Sequence, residues 1–554
     1  MEKEIKLCVG GMTCIHCATH VTQALEGVPG VQSVDLPGWR SPHATVVVDA
    51  SVSPNALSAA VQKAGYTATV EEQQPVEPEN VQPDRSSAAP DFDLLVIGGG
   101  SGGYAAAIAA SDLGKRVSMI NAGTIGGTCV NVGCVPSKTL IRAAEAWHKA
   151  GSHPFAGVST AQSQLDWATV QAEKDELVSR MRQKKYVDVL AAYPEIQLIT
   201  GRASFLQDGS VQVDGKNYRA SRYVIATGAQ PRIPPIPGLA DVQPLTSTTL
   251  MDLEALPKSL IVLGGRAVAL ELGQTMARLG VEVLILQRSS LLVPDHEPEI
   301  GQAIQEYLEQ EGLVILTGVQ IEQVKSDGEL ITVSARVGGQ KREYQAEQIL
   351  AALGRQPNTA GLGLENVGVA VDGNGAIIVN EYQQTSNPII YATGDVTTNP
   401  EYVYVAAAGG ALAARNAMDG NQKPFDLSAL PGVIFTDPQI ATVGFTEAEA
   451  RSHGYQVSAQ TLPLEYVPRA QAARDTRGLI KMVIDDATGR ILGMHVLAAE
   501  AGEVIQTATL AVKHEFTLND LTDTLFPYLT QVEGLKLAAL SFSKDVEKLS
   551  CCAA

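Results

Sequence analysis

Cysteine is scarce in this chain, with seven residues among 554. So few thiols cannot make a disulfide framework in so long a protein, and thiols that cluster in pairs more often bind metal or do redox work. Basic charge is also short, and the formal net charge is −19. Nucleic acid and anionic membrane both require a basic face, so neither is expected as the main partner. No run reaches the ~18 uninterrupted apolar residues of a membrane span. The opening MEKEIKLCVGGM lacks the charged-then-apolar order of a secretion signal, so a cytoplasmic location is expected. Glycine is plentiful at 51 residues, which suits tight turns and close backbone approach to ligands. At 554 residues the chain exceeds one hydrophobic core, and length alone suggests about three to five domains.

Six of the seven cysteines fall into three close pairs: Cys14 with Cys17, Cys129 with Cys134, and Cys551 with Cys552. Cys8 stands apart and reads as a small, half-buried strand residue. Residues 1–70 alternate strand and helix patterns in the order β-α-β-β-α-β, a ferredoxin-like unit. The run EEQQPVEPENVQPDRSSAAP, across 71–90, has the composition of a flexible, extended tether. The main body then starts at Asp91. Within it, DLLVIGGGSGGYAAAIAASDLGKRVSMIN and SLIVLGGRAVALELGQTMARLGVEVLILQ repeat one pattern: buried strand, Gly turn, Ala-rich helix, Gly stop and second strand. Two dinucleotide-binding units imply two dinucleotides. The expected fold class is therefore α/β, with two Rossmann-like dinucleotide-binding domains and a ferredoxin-like unit in front. Boundaries are expected at 91–244 and 367–432 for the first dinucleotide domain, 245–366 for the second, and 433–554 for a last domain.

Gly98, Gly100 and Gly103 complete a G-x-G-x-x-G between strand and helix. The first glycine allows the turn, the second admits a pyrophosphate, and the third lets the helix pack on the strand. Thr227 and Gly228 in one ATG run, and Asp395 in ATGD, follow later apolar strands and would border the same dinucleotide, with Asp395 placed for a ribitol hydroxyl. Asn121 stands where an acid usually binds the adenosine ribose. The second copy keeps Gly264 but has Arg266 and Ala269 at the other two glycine positions. Its strand ends in Gln287-Arg288 instead of an acid, which favours a 2′-phosphate and so NADPH over NADH. Arg288 reads equally well as a solvated surface cation.

GGTCVNVGCVPSK, residues 126–138, places two cysteines where a helix begins, and a helix N-terminus lowers a thiolate's pKa. Lys138 lies one turn on. Here the chain resembles the pyridine nucleotide-disulfide oxidoreductases from about Asp91 onward. The resemblance implies FAD as cofactor, Cys134 as the flavin-proximal thiol and Cys129 as the interchange thiol. It also implies Glu271 as the acid paired with Lys138. Thr128 and Val405 (in VYVAAAGG) would lie on the flavin side, and Gly354 on the nicotinamide side.

Three features separate branches of that family. Disulfide and dihydrolipoamide enzymes carry a His base, followed at short distance by a Glu. FPYLTQVEG has Tyr528 in its place and keeps Glu533, and a phenol is a poor base at neutral pH. The terminus LSCCAA offers two adjacent thiols, which strain a disulfide but suit capture of a soft ion. GMTCIHC resembles the heavy-metal-associated domain, with Cys14 and Cys17 as ligands and His16 exposed and incidental. Trp39 and Tyr66 read as packing residues. Together these resemble the mercuric reductase branch, in which NADPH reduces Hg(II) to Hg(0). The resemblance implies metal passed from Cys14 and Cys17 through Cys551 and Cys552 to Cys129 and Cys134, with Tyr186 and Tyr528 flanking it. It further implies a ferredoxin-like metal-binding domain over 1–70, an α+β dimerisation domain over 433–554, a homodimer whose tail cysteines serve the partner's active site, and a mercury transporter as donor. The rivals are a dihydrolipoamide dehydrogenase-like or glutathione reductase-like enzyme, and a metallochaperone or sensor with a degenerate flavin body.

Overall fold

A computed structural model describes residues 2–10, 15–36, 43–49, 51–64, 66–70, 90–161 and 164–548. The chain divides into two compact units, Met1–Arg85 with Ala448–Tyr455, and Ser86–Glu447 with Gln456–Ala554.

The amino-terminal unit runs β1 (Glu2–Gly10), α1 (Ile15–Glu26), β2 (Val31–Asp35), β3 (His43–Asp49), α2 (Pro54–Lys63) and β4 (Thr67–Val70). This is the expected β-α-β-β-α-β order. Its sheet is antiparallel in the order β2-β3-β1-β4, with Leu7 facing Ala44 on one side and Val70 on the other. Alternation in β3 sends Ala44, Val46 and Val48 into the core, where Val21 and Leu25 of α1 and Leu57 and Val61 of α2 meet them. The Ser53 side chain accepts the Ala56 amide at 3.2 Å and Pro54 opens α2, so sequence and helix start agree. Cys8 lies half-buried on β1 as expected, and Tyr66 packs against the core. Trp39 lies outside the described residues.

The larger unit contains two wholly parallel sheets, a five-stranded antiparallel sheet and three smaller antiparallel ones. In the first parallel sheet the order is Ile390–Ala392, Ala220–Ile225, β5 (Phe92–Ile97), β6 (Val117–Asn121) and β7 (Ile196–Thr200). The second runs Val314–Leu316, Glu282–Leu286, Ser259–Leu263 and Gln348–Ala351. Leu94 to Ile97 and Leu260 to Leu263 are continuously buried, as strands covered on both faces must be. The repeat seen in the sequence is thus a repeat of architecture. The third sheet, Gly432–Ile434, Gln439–Gly444, Ile491–Ala498, Leu479–Asp485 and Val457–Pro463, is antiparallel throughout. Helices Ala501–Lys513 and Glu533–Leu540 share a core with it through Val504, Ile505 and Leu535. Among the described residues no helix is long and apolar enough to cross a membrane.

α3 (Ser101–Asp112), which follows β5, packs on helix Val403–Asp419 at glycine pairs. A Cβ on Gly410 would lie 2.1 Å from the Gly102 carbonyl oxygen. Only glycine lets those backbones come so close. Lys174 is among the charged residues that enter the interior: it is 2% exposed and donates to the Met251 carbonyl at 2.8 Å and to Asp252 at 3.1 Å. It ties helix Trp167–Arg182 to the segment that precedes the second parallel sheet.

Candidate redox and metal-binding site

The pair Cys129/Cys134 sits at a break between two helices, α4 (Gly127–Val132) and α5 (Cys134–Gly151). The sequence suggested one helix start. Instead Cys129 belongs to the short α4, and Cys134 is the first residue of α5. Gly133 makes the break possible, because a Cβ there would lie 2.9 Å from the Thr128 carbonyl oxygen. No side chain caps α5, so its free N–H groups and dipole act at Cys134.

The two thiols are unequal. Cys134 reaches solvent and Cys129 is half-buried. The Cys134 thiol is brought down to about 7, first by the hydrogen bond from Cys129; burial opposes this, and the Lys138 ammonium adds to it. Cys129 is pushed well up, first because it is the donor in that bond and then by burial. The thiolate therefore resides on Cys134. Lys138 Nζ lies 2.6 Å from Glu271 Oε2, and the Glu271 side chain is 8% exposed. Glu271 sits on helix Ala267–Arg278, which follows the second glycine turn.

Tyr186 joins this cluster from a direction the sequence concealed. It lies in a π-helical turn, Gln183–Val187, a rare form that is found mostly at functional sites. Its hydroxyl is 3.1 Å from Ser101 Oγ, and its carbonyl accepts from Tyr104 Oη at 3.2 Å. The Tyr104 and Tyr186 rings meet edge to face at 4.9 Å. A Cβ on Gly126 would come within 3.2 Å of the Tyr186 ring, so that ring lies against the loop leading to Cys129. Burial raises the Tyr186 phenol, Ser101 lowers it, and the charges of Cys129 and Cys134 raise it again. Ser101 and Tyr104 escaped the sequence reading. Their spacing of three on α3, next to the glycine fingerprint, was the available signal.

The first glycine turn fits a pyrophosphate. Gly98 has φ +121°, and a Cβ there would lie 2.2 Å from the Ala226 carbonyl oxygen; one on Gly103 would lie 1.9 Å from the Gly98 carbonyl oxygen. Gly100 is the N-cap of α3, without a side-chain cap, and it faces Gly127 across 3.6 Å as measured from an added Cβ. The turn is therefore a cradle closed in by backbone, with the uncapped N-terminus of α3 at its edge. Asn121 accepts the Gly99 amide at 3.2 Å and donates to the Gly123 carbonyl at 2.5 Å. Part of its hydrogen-bonding capacity is thus spent on the turn itself. Thr227 exchanges hydrogen bonds with Asn358, both 2.9 Å. Asp395 accepts from Arg355 at 3.1 Å, and Arg355 also donates to the Ala229 carbonyl at 2.7 Å. Arg355, one residue after Gly354, is another partner that the sequence reading missed. Val405 is buried on helix Val403–Asp419.

At the second turn Gly264 has φ +116°, with an added Cβ 2.4 Å from the Ala352 carbonyl oxygen. Ala269 is fully buried. Arg266 caps the helix by its backbone and pairs with Asp295. Burial lowers Arg266, and the Arg288 charge lowers it further, so two guanidinium groups bear on one another there. Gln287 is buried and turned in beside Gly265, whereas Arg288 is exposed.

Tyr528 is 54% exposed, on a loop with Leu525 at 92% and Leu529 at 41%. Glu533 accepts the Leu529 amide at 3.2 Å. Cys14, Cys551 and Cys552 lie outside the described residues, as does the side chain of Cys17 on α1. Cys129, Cys134, Lys138, Glu271 and Tyr186 are the site residues that the described structure assembles together.

This fold and this thiol pair define a flavoprotein disulfide reductase-like class, and the comparisons agree. The pyridine nucleotide-disulphide oxidoreductase model matches residues 92–410, and its dimerisation domain matches residues 430–539. The heavy-metal-associated domain matches residues 7–67. The chain belongs to the pyridine nucleotide-disulphide oxidoreductases. Within them its relatives are mercuric reductases. That of Staphylococcus aureus is 45% identical over 552 residues, covering 100% of both chains. That of Bacillus cereus is 44% identical over 100% of this chain and 87% of its own. That of Streptomyces lividans is 46% identical over 83% of this chain and 98% of its own. Among solved structures, the HOCl-induced flavoprotein disulfide reductase RclA from Escherichia coli matches with TM-score 0.72 and 30% identity, over 82% of this chain and 100% of that one.

Proposed function

We propose that the chain reduces thiol-bound Hg(II) to Hg(0) at the expense of NADPH: Hg(II) + NADPH → Hg(0) + NADP⁺ + H⁺. The observation that carries this reading is the placement of the pair, Cys129 in α4 and Cys134 at the N-terminus of α5, one turn from the Lys138–Glu271 ion pair. Relatives named mercuric reductases along the full length support it. FAD, when bound, supplies the two-electron relay between NADPH and the metal.

The residues take the following parts. The turn Gly98, Gly100 and Gly103 and the N-terminus of α3 hold the FAD pyrophosphate, and Asp395 holds the ribitol. Asn121, Thr128, Thr227, Gly228 and Val405 border that cofactor. Gly264, Arg266, Ala269, Glu271 and Gly354 line the NADPH side, and Arg288 is the cation for a 2′-phosphate. Mercury binds thiolates too tightly to travel free, so capture proceeds by exchange. The Cys134 thiolate attacks the mercury, its S–Hg bond forms, and one small thiolate leaves. Cys129 then gives its proton to the second leaving thiolate and takes its place on the metal. Tyr186 and Tyr528 flank the ion, and Glu533 orients the Tyr528 loop. Cys14 and Cys17 collect mercury, and Cys551 and Cys552 relay it to the partner subunit's pair in a homodimer built on the dimerisation domain. A mercury transporter is the upstream donor, and the cytoplasm is the compartment. The domains divide at 1–70, 71–90, 91–244 with 367–432, 245–366 and 433–554.

NADPH oxidation measured with a Hg(II)-thiol complex, glutathione disulfide and lipoamide tests the assignment. Turnover is expected with the mercury complex. Turnover confined to the disulfides would overturn it.

A further inference from the structure

The Lys138–Glu271 pair is held by a third residue that the mechanism above does not use. Phe435 lies between strands Gly432–Ile434 and Gln439–Gly444. Its ring centroid is 4.5 Å from Lys138 Nζ. Its backbone N–H donates to Glu271 Oε1 at 2.8 Å, while the other oxygen of that carboxylate holds Lys138 Nζ at 2.6 Å. One residue thus touches both ions, the ring on the cation and the amide on the anion.

The segment carrying Phe435 is itself fixed. Glu271, Gln274 and Arg278 are spaced by three and four, so they share one face of helix Ala267–Arg278. Gln274 accepts the Asp437 amide at 2.9 Å and donates to the Asp437 carbonyl at 2.9 Å. Arg278 pairs with the Asp437 carboxylate at 3.0 Å, and Arg477 pairs with it at 3.3 Å. A helix face therefore grips the strand connection at two points, and the ring between them has a defined place. Lys138 needs such a stop, because its side chain is 32% exposed and a flexible ammonium otherwise favours water.

We infer that Phe435 is a positioning residue for the redox-site lysine, holding the Lys138 ammonium against Glu271 and beside Cys134 by an ammonium–ring contact. The inference rests on the reading of Cys134, Lys138 and Glu271 given above and adds the group that sets the lysine's place. Cys129, Lys138, Glu271 and Tyr186 are the titratable groups that bear on Cys134. Of these only Lys138 is a fixed cation. Loss of the ring should move positive charge away from the thiolate and leave Glu271 behind.

Alkylation of Cys134 by iodoacetamide, followed across pH by peptide mass in the reduced holoenzyme, measures the thiolate directly. Phe435→Met is expected to reduce the thiolate fraction below the break by about two- to fivefold. Phe435→Tyr, which keeps the ring, should match the parent. In a Lys138→Met background, Phe435→Met should change nothing further, because the contact has already gone. Pentafluorophenylalanine at position 435 keeps the shape but reverses the ring's charge face, so it should reproduce the loss even if the Met variant sheds flavin. An unchanged profile, or an equal shift with and without Lys138, would overturn the inference. Failure of mercury reduction with the alkylation cycle intact would instead count against the proposed function alone.

Discussion

At the residue scale the site turns on which sulfur carries the charge. Cys134 gains from its place at the first residue of α5, from the Cys129 donor and from Lys138. Above about pH 7 it is a thiolate ready for exchange; below that value the thiolate fraction falls about tenfold per pH unit. Tyr186 has its phenol raised by burial, so it stays protonated through the neutral range, with its hydroxyl 3.1 Å from Ser101 Oγ. Removing the donor should expose the asymmetry. Cys129→Ala is expected to raise the Cys134 pKa by about 1–2 units, since a hydrogen bond to a charged group contributes that much. The pH dependence of alkylation checks this, and a profile unmoved from the parent would mean that the helix terminus and Lys138 suffice alone.

Elements show what a sequence reveals and what it hides. The doubled strand–turn–helix pattern was legible because Gly98 and Gly264 mark turns that only a positive φ permits. The β-α-β-β-α-β unit was legible because alternating burial in β3 mirrors alternating residues. The break at Gly133 was not, since it depends on the room between Thr128 and Cys129. Nor was the π turn at Tyr186, because its i→i+5 bonding leaves no periodicity of its own. The partners of the strand ends were hidden as well: Asn121 accepts the Gly99 amide, and Gln287 turns in beside Gly265. Buried ion networks were invisible too, because partners far apart in the chain meet only after folding. Arg278, with its side chain 4% exposed, links Glu311 at 2.6 Å and Asp437 at 3.0 Å. Burial raises Glu311, but the Arg278 hydrogen bond and charge outweigh it, so its carboxyl stays below the ordinary range. The stability it contributes is full above about pH 4.3 and is lost as pH falls through the depressed value. Arg278→Met should cost about 3–5 kcal/mol in chemical denaturation, because two carboxylates lose their nearer cation and share only Arg477, at 3.2 and 3.3 Å. A loss under about 1 kcal/mol would show that Arg477 alone balances them.

On the scale of the whole molecule the sequence ties one chemistry to several places. Cys14 and Cys17 within the heavy-metal-associated domain match, Cys129 and Cys134, and Cys551 and Cys552 account for six of the seven cysteines, in three pairs. The dimerisation domain match at 430–539 includes the loop on which Leu525, Tyr528 and Leu529 are exposed, and a second subunit is the natural cover for such an apolar surface. In the proposed function, with Tyr528 where disulfide enzymes carry a His base, the Cys129/Cys134 pair serves a metal and not a disulfide. The measurement that tests this most directly is the mercury vapour released per NADPH oxidised, with Hg(II) supplied in excess small thiol. One Hg(0) per NADPH, abolished in Cys134→Ala, is the expected result. NADPH consumed without release of Hg(0) would contradict the account.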